Sequence, residues 1–245
     1  MPSEKQKPGK SLPPAPEARA ASTGDGFRWE LRGFGPVGIL ASLIILLAGN
    51  VLLGGVMLPV GGLLAVLWTR LSRTPWHEIG YVRPKSWIGA VVIGLAFGVA
   101  FKFTMKAVVM PLLGADPINH AYHYLAGNRA ALPGAVWTMF AAGFGEETVF
   151  RGYLFERLGK LFGPGVGART SIVLLTSGLF GAAHYFGQGV AGAEQAAIVG
   201  LVLGTIFCRG GSLFMLMCAH TAFDLTALAM IYWNLETRVA HLLFR

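Results

Sequence analysis

The sequence predicts an all-α fold, a polytopic bundle of about seven transmembrane helices with its active site inside the bundle. Three observations carry that reading. Of the 245 residues, 54% are hydrophobic and only 13% charged, against about 25% charged in a soluble domain. No charged residue occurs from Gly33 to Thr69, and a spanning helix needs about 20 mostly apolar residues. The stretch AAGFGEETVFRGYLFERL, Ala141 to Leu158, then sets Glu146, Glu147 and Arg151 inside an otherwise apolar segment.

The elements follow in order. Residues 1–32 (including KPGKSLPPAPEARAA) bury too little apolar surface to fold and read as a disordered basic tail. They are not a secretory signal, because no short apolar region follows an early basic start. Residues 33–70 hold two spans, roughly 36–53 and 55–70, meeting near Gly54, Gly55 and Pro59. Residues 71–235 form the core. Its spans are expected at 87–112, 134–157, 168–188, 193–208 and 212–233, with a polar loop, ADPINHAYHYLAGNRAALPG, after the first of them. Residues 236–245 are a short C-terminal tail. Gly94/Gly98 and Gly200/Gly204 are small-residue pairs that let helices approach closely.

Charge gives orientation and excludes one class of partner. The net charge is +8, but the basic residues sit in the tail and the short loops (Arg70, Arg73, Arg83, Lys85, Arg157, Lys160, Arg169, Arg209), not on one soluble face. That is the positive-inside pattern. It predicts a multi-pass protein of a bacterial plasma membrane, in contact with lipid, with its N-terminus cytoplasmic and its C-terminus outside, and no nucleic-acid partner. Cys208 and Cys218 are too few and too far apart for a metal knuckle or redox pair and read as buried, inert thiols.

Ionisable groups inside a span are costly, roughly 2.5 kcal/mol or more each, and mark function by default. The fourth span has Glu146, Glu147 and Arg151, the fifth His184, and the seventh His220 and Asp224. Lys102, Lys106 and Glu194 lie nearer span ends, where snorkelling or a loop would accommodate them. Glu147 and Arg151 share a helix face at i,i+4, whereas Glu146 is one step round and has no such partner. His220 and Asp224 are also four apart, so the carboxylate can fix the imidazole tautomer. Glu146 and His220 each lie about 12 residues, roughly 18 Å, into their spans and can meet. His184 reads as shallower. An unpaired glutamate beside two histidines can polarise a water as general base, the histidines orienting it or stabilising an oxyanion. The same groups could hold a divalent metal. Both chemistries are hydrolytic.

Other hydrolase signatures are absent. WHEIGY lacks the second histidine of H-E-x-x-H, having Tyr81 there. Ser177 is not in G-x-S-x-G, and there is no G-x-G-D. His120, His123 and Asp116 read as an exposed polar loop rather than a metal site.

Glu146-Glu147-x-x-x-Arg151, Phe180-x-x-x-His184 and His220-x-x-x-Asp224, with the GY-x-x-P-x-x-W stretch at Gly80–Trp87, resemble the CPBP intramembrane proteases, which include Rce1-type CAAX prenyl endopeptidases and bacterial Abi or bacteriocin-processing proteins. The resemblance covers about 75–235. It implies an intramembrane endopeptidase in which Glu146 activates the water beside His184 and His220 and residue 224 complete the site. Glu147, Arg151 and Phe180 would be structural support. It leaves open a metal-free glutamate mechanism or Zn2+ or another divalent metal on Glu146, His184 and His220. The substrate implied is a peptide or protein, lipidated and membrane-anchored substrates included. Asp224 stands where the prenyl endopeptidases usually have Asn, and an ionised Asp cannot donate to an oxyanion. The competing readings are a non-catalytic immunity or partner-binding membrane protein on the same fold, and a proton-coupled transporter.

Overall fold

The computed structural model describes residues 23–48 and 58–244; residues 1–22 of the expected tail and the junction of the first two expected spans lie outside them. The described residues are helical and contain no strand. Helix α1 spans Thr23–Arg32, so the last ten residues of the expected tail are ordered. Asp25 in its first turn and Arg32 in its last complement the helix dipole. The helix is tied down where Trp68 Nε1 donates to Leu31 O at 3.0 Å and Arg157 donates to Arg32 O and Gly33 O. A bend of 58° leads into α2, Pro36–Ala48, which opens on a proline, a residue suited to a first helical position.

Helix α3 is Leu58–Leu71. A single 3-10 turn, Trp76–Ile79, follows and closes on Gly80 at φ 79°. Glycine is required there twice over: the conformation is left-handed, and a Cβ would press into the ring of Phe207 and the side chain of Leu213. The carbonyl of Gly80 accepts from Leu213 N at 2.9 Å, fastening this loop to a distant helix. Helix α4, Trp87–Thr104, begins with Ser86 capping Gly89 N at 3.0 Å and runs through a π turn, Met105–Val109, to Leu112.

Helix α5, Leu132–Glu146, passes without a break into a π segment, Glu147–Tyr153, and then α6, Leu154–Phe162. Helix α7, Val166–Gly210, is continuous in hydrogen bonding but breaks at Gly189 (φ 67°, ψ −163°). Its two arms fold back on each other: Gly181 lies against Ala193 and Ala197, and Gly200 against Ser177. Gly211 at φ 62° ends it, its N–H bonded to Phe207 O at 2.8 Å. Helix α8 is Leu213–Tyr232 and α9 is Glu236–Ala240.

Helices α4 and α8 pack closely along their length. A Cβ on Gly94 would fall 2.7 Å from Cys218 Cβ and from Met215 O, and one on Gly98 would overlap Ala219 O. The small-residue pair is therefore a backbone-to-backbone seam. Inside, Met105, Phe180, Leu213 and Leu216 are fully buried. Outside, α4 and α7 present Ile88, Val92, Ile93, Leu174 and Leu179. Exposed apolar surface of that extent is what a lipid-facing wall requires. The molecule is an integral membrane protein.

The expected count of about seven spans is not confirmed among the described residues. Three helices are long and apolar enough to cross a membrane, Trp87–Leu112, Val166–Gly210 and Leu213–Tyr232, or up to four if the bent pair Asp25–Arg32 and Pro36–Ala48 counts as one. The reasons are local. The described parts of the first two expected spans have 13 and 14 residues. The expected fourth span carries too many charges to read as apolar. The expected fifth and sixth spans are the two arms of the hairpin turned at Gly189, which enter that number as the single helix Val166–Gly210. The expected tail at 236–245 also changes, since α9 is helical and Glu236 is buried.

Candidate active site

The sequence AAGFGEETVFRG places its acids at a change of helical pitch. Glu146 ends α5 and Glu147 begins the π segment, where Leu154 N reaches back five residues to Val149 O. Such π turns inside α-helices are frequent at functional sites. Small residues around them allow close approach: a Cβ on Gly143 would collide with Thr221 on α8. The glutamates are thereby pressed against His220.

Glu147 is completely buried and holds two partners with one oxygen. Arg151 Nη1 donates to Oε1 at 2.8 Å, and His220 Nδ1 donates to the same atom at 2.7 Å. The i,i+4 pair foreseen on one helix is thus part of a three-residue chain that crosses to α8. This chain, rather than Asp224, makes the short bond to the imidazole and sets its tautomer. Asp224 stands at the other nitrogen, with Oδ2 3.5 Å from His220 Nε2, and Glu146 Oε2 is 3.6 Å from that same Nε2. Both gaps exceed a direct hydrogen bond. Glu146 Oε2 is buried and makes no hydrogen bond.

His184 comes from the α7 hairpin. Its Nδ1 donates to Phe180 O, one turn back, at 2.8 Å, which leaves Nε2 as the nitrogen without a backbone partner. Phe180 packs all three motif elements together. Its ring lies 4.6 Å from the Arg151 guanidinium, 4.6 Å from the His184 ring and 6.0 Å from the His220 ring. Glu146, His184, His220 and Asp224 line one cavity of about 110 Å³. That is room for several waters, since one needs about 10–15 Å³ by the same measure. His184 thus lines the same cavity as the other three.

Two features were misjudged from sequence. Lys102 and Lys106 do not snorkel; both are buried. Lys102 donates to Gln195 Oε1 at 3.0 Å and lies 4.7 Å over the Phe223 ring, on the cavity wall. Lys106 donates to Pro117 O and pairs with Glu236 at 3.3 Å. The alternation of Lys with apolar residues gave no sign of this, because the partners lie 11, 93 and 130 residues away. The polar loop after α4 is also not a bare surface loop. Asp116 and His120 form an exposed pair at 3.0 Å, as foreseen, but Leu125 is buried against Leu228 and Ile231, and Asn119 and Tyr122 line the cavity. The cysteines are both only partly buried.

Among the described residues no three His, Cys, Asp or Glu side chains are grouped to hold a metal ion. The Nδ1 atoms of His184 and His220 are engaged with Phe180 O and Glu147 Oε1, which leaves the two Nε2 atoms as the nitrogens without a short bond.

The fold and site define the class only as an all-helical integral membrane protein in which a Glu-Glu-Arg helix faces two histidines. Within it, residues 128–226, less than half of the chain, match the family of type II CAAX prenyl endopeptidase Rce1-like proteins. That segment contains Glu146, Glu147, Arg151, Phe180, His184, His220 and Asp224, so the match takes in the three spaced elements of the motif resemblance but not the Gly80–Trp87 stretch. No curated protein and no solved structure matches the chain.

Proposed function

We propose that the protein is an intramembrane endopeptidase in which Glu146 activates a water for attack on a peptide carbonyl. One observation carries this reading. Glu146 Oε2 is buried, has no hydrogen bond, and faces His220 Nε2 across 3.6 Å in a cavity wide enough for water. Both residues line that cavity, so a water within it can bond to the two at once.

The steps follow from the hydrogen bonds. Glu146 takes a proton from the water as the oxygen attacks the carbonyl carbon. His184, held by Phe180 O, offers Nε2 to the same water. His220 is fixed through Nδ1 by Glu147, whose charge Arg151 balances, so its Nε2 is the working atom. In the protonated form, Nε2–H donates to the oxyanion. Collapse breaks the C–N bond, and Glu146 passes its proton to the departing amine. Phe180 and the Glu147–Arg151 pair act by holding these groups in place. No step needs a metal. Peptides or proteins at the membrane, lipidated ones included, are the substrate class.

The test is a peptide library offered to the purified protein with and without chelator. Cleavage that survives chelation, and falls about a hundredfold or more in His184→Ala and His220→Ala, supports the reading. Cleavage restored only by added Zn2+ would replace it with a metal mechanism.

A further inference from the structure

We propose that the hydroxyl of Tyr122 is a further catalytic group, donating a hydrogen bond to the oxyanion formed on the peptide carbonyl. The inference rests on the endopeptidase reading above and supplies what Asp224 does not. An ionised aspartate only accepts, so with Asp224 ionised the second donor that such an intermediate calls for comes from another group.

Tyr122 sits on the loop between α4 and α5, outside the motif helices. The loop is held in a defined position. Gly127 N donates to Tyr232 O at 3.0 Å, Asn119 N donates to Glu236 Oε1 at 3.0 Å, and Leu125 is buried against α8. Tyr122 packs with that same cluster, and its ring reaches the wall of the cavity that holds Glu146, His184, His220 and Asp224.

The hydrogen bonding of the phenol decides the direction of its proton. Gln188 Nε2, from the α7 hairpin, donates to the Tyr122 oxygen at 3.1 Å. A phenol has one proton to give and lone pairs to accept with. With an acceptor site taken by Gln188, the O–H is left to donate, and the structure gives it no acceptor of its own. The donation from Gln188 also polarises the O–H and makes it a better donor. Thr138, another hydroxyl on the wall, has its proton committed to Gly134 O at 2.9 Å. Burial, with the charges of Asp224 and Glu146 beside it, pushes the Tyr122 hydroxyl up to about 12. It keeps its proton at neutral pH and remains a donor through the reaction. Lys102 is the one other strong donor on this wall without a carboxylate bond, so it is the control.

Tyr122→Phe removes the donor and keeps the ring. The expected result is a fall in kcat of about 10²–10³, the scale for losing one oxyanion donor, with KM within about twofold and an unchanged melting temperature. Affinity for a phosphonamidate analogue of the best-cleaved peptide falls by a similar factor, while affinity for the intact peptide, measured on the Glu146→Gln background, does not change. A merely structural tyrosine would move both affinities together. Gln188→Glu gives a second route: its carboxylate captures the phenolic proton and lowers kcat with the ring untouched. Tyr122→Phe with kcat within threefold of wild type overturns the proposal, as does a full loss in Lys102→Met with none in Tyr122→Phe. If wild type cleaves no peptide, the endopeptidase reading has failed, and if Glu146→Gln still turns over, the assignment of Glu146 as the base has failed. If Glu146→Gln is dead and Tyr122→Phe is active, only the role of Tyr122 has failed.

Discussion

Replacing Arg151 by alanine separates support from chemistry. The guanidinium is 1% exposed, donates to Glu147 Oε1 at 2.8 Å and stacks 4.6 Å from the Phe180 ring. Its loss leaves Glu147, itself without any exposure, with His220 as its one remaining partner. Breaking a buried pair by deleting one member costs about 3–5 kcal/mol. A chain of this size shifts its melting point by about 2–4 °C per kcal/mol, so the loss corresponds to about 6–20 °C. Arg151→Lys keeps the charge but not the planar stacking surface, and falls between wild type and Arg151→Ala. The assay is thermal unfolding in detergent beside turnover well below the melting point. Glu146→Gln serves as the contrast, because it removes a charge with no direct hydrogen bond and leaves stability near or above wild type. If Arg151→Ala melts within about 2 °C of wild type while Glu146→Gln collapses, the division between strut and base is reversed.

The remaining expectations concern the frame. Gly98→Ala drives a methyl group into Ala219 O on α8; overpacking of that kind costs about 1–3 kcal/mol, read as a lower melting temperature without a changed KM, and a neutral result would show that the α4–α8 seam yields. Glu236→Gln leaves the buried Lys106 cation unbalanced and loosens Asn119 in the loop, so protease nicking between 113 and 131 should increase. At the opposite side, burial pushes the Glu78 carboxyl up, but bonds from Lys160 and Arg32 more than offset this and hold it below its ordinary value of 4.5. A lowered carboxyl stabilises above its unfolded pKa, and the benefit disappears as pH falls through the folded value. The pH 3–7 melting profile of Glu78→Gln should therefore be flatter at its acid end than that of wild type.

The helix faces of the candidate site were legible because they depend on spacing within one segment. Glu147 and Arg151 at i,i+4 pair as their positions require, and equal depth along two spans let Glu146 and His220 meet. Gly94 and Gly98 marked a real seam for the same local reason. What spacing does not encode is which of two carboxylates reaches a ring on another helix. The π segment changes the phase of Glu147 so that it, and not Asp224, makes the short bond to His220. Hydropathy misplaced Lys102 and Lys106 because it counts a lysine as a cost, whereas Gln195, Glu236 and Pro117 supply its hydrogen bonds from distant segments. The helix at 23–32 was hidden by the polar composition around it. Its order comes from Arg157 and Trp68, which bind its carbonyls from elsewhere in the chain.

The central claim is that Glu146 is the base, and one paired measurement tests it most directly. Turnover of a cleaved peptide and melting temperature are recorded for wild type and Glu146→Gln in the same detergent. The account expects turnover to vanish, a loss of at least about 10², while the melting temperature stays level or rises. Near wild-type turnover in folded Glu146→Gln would contradict it.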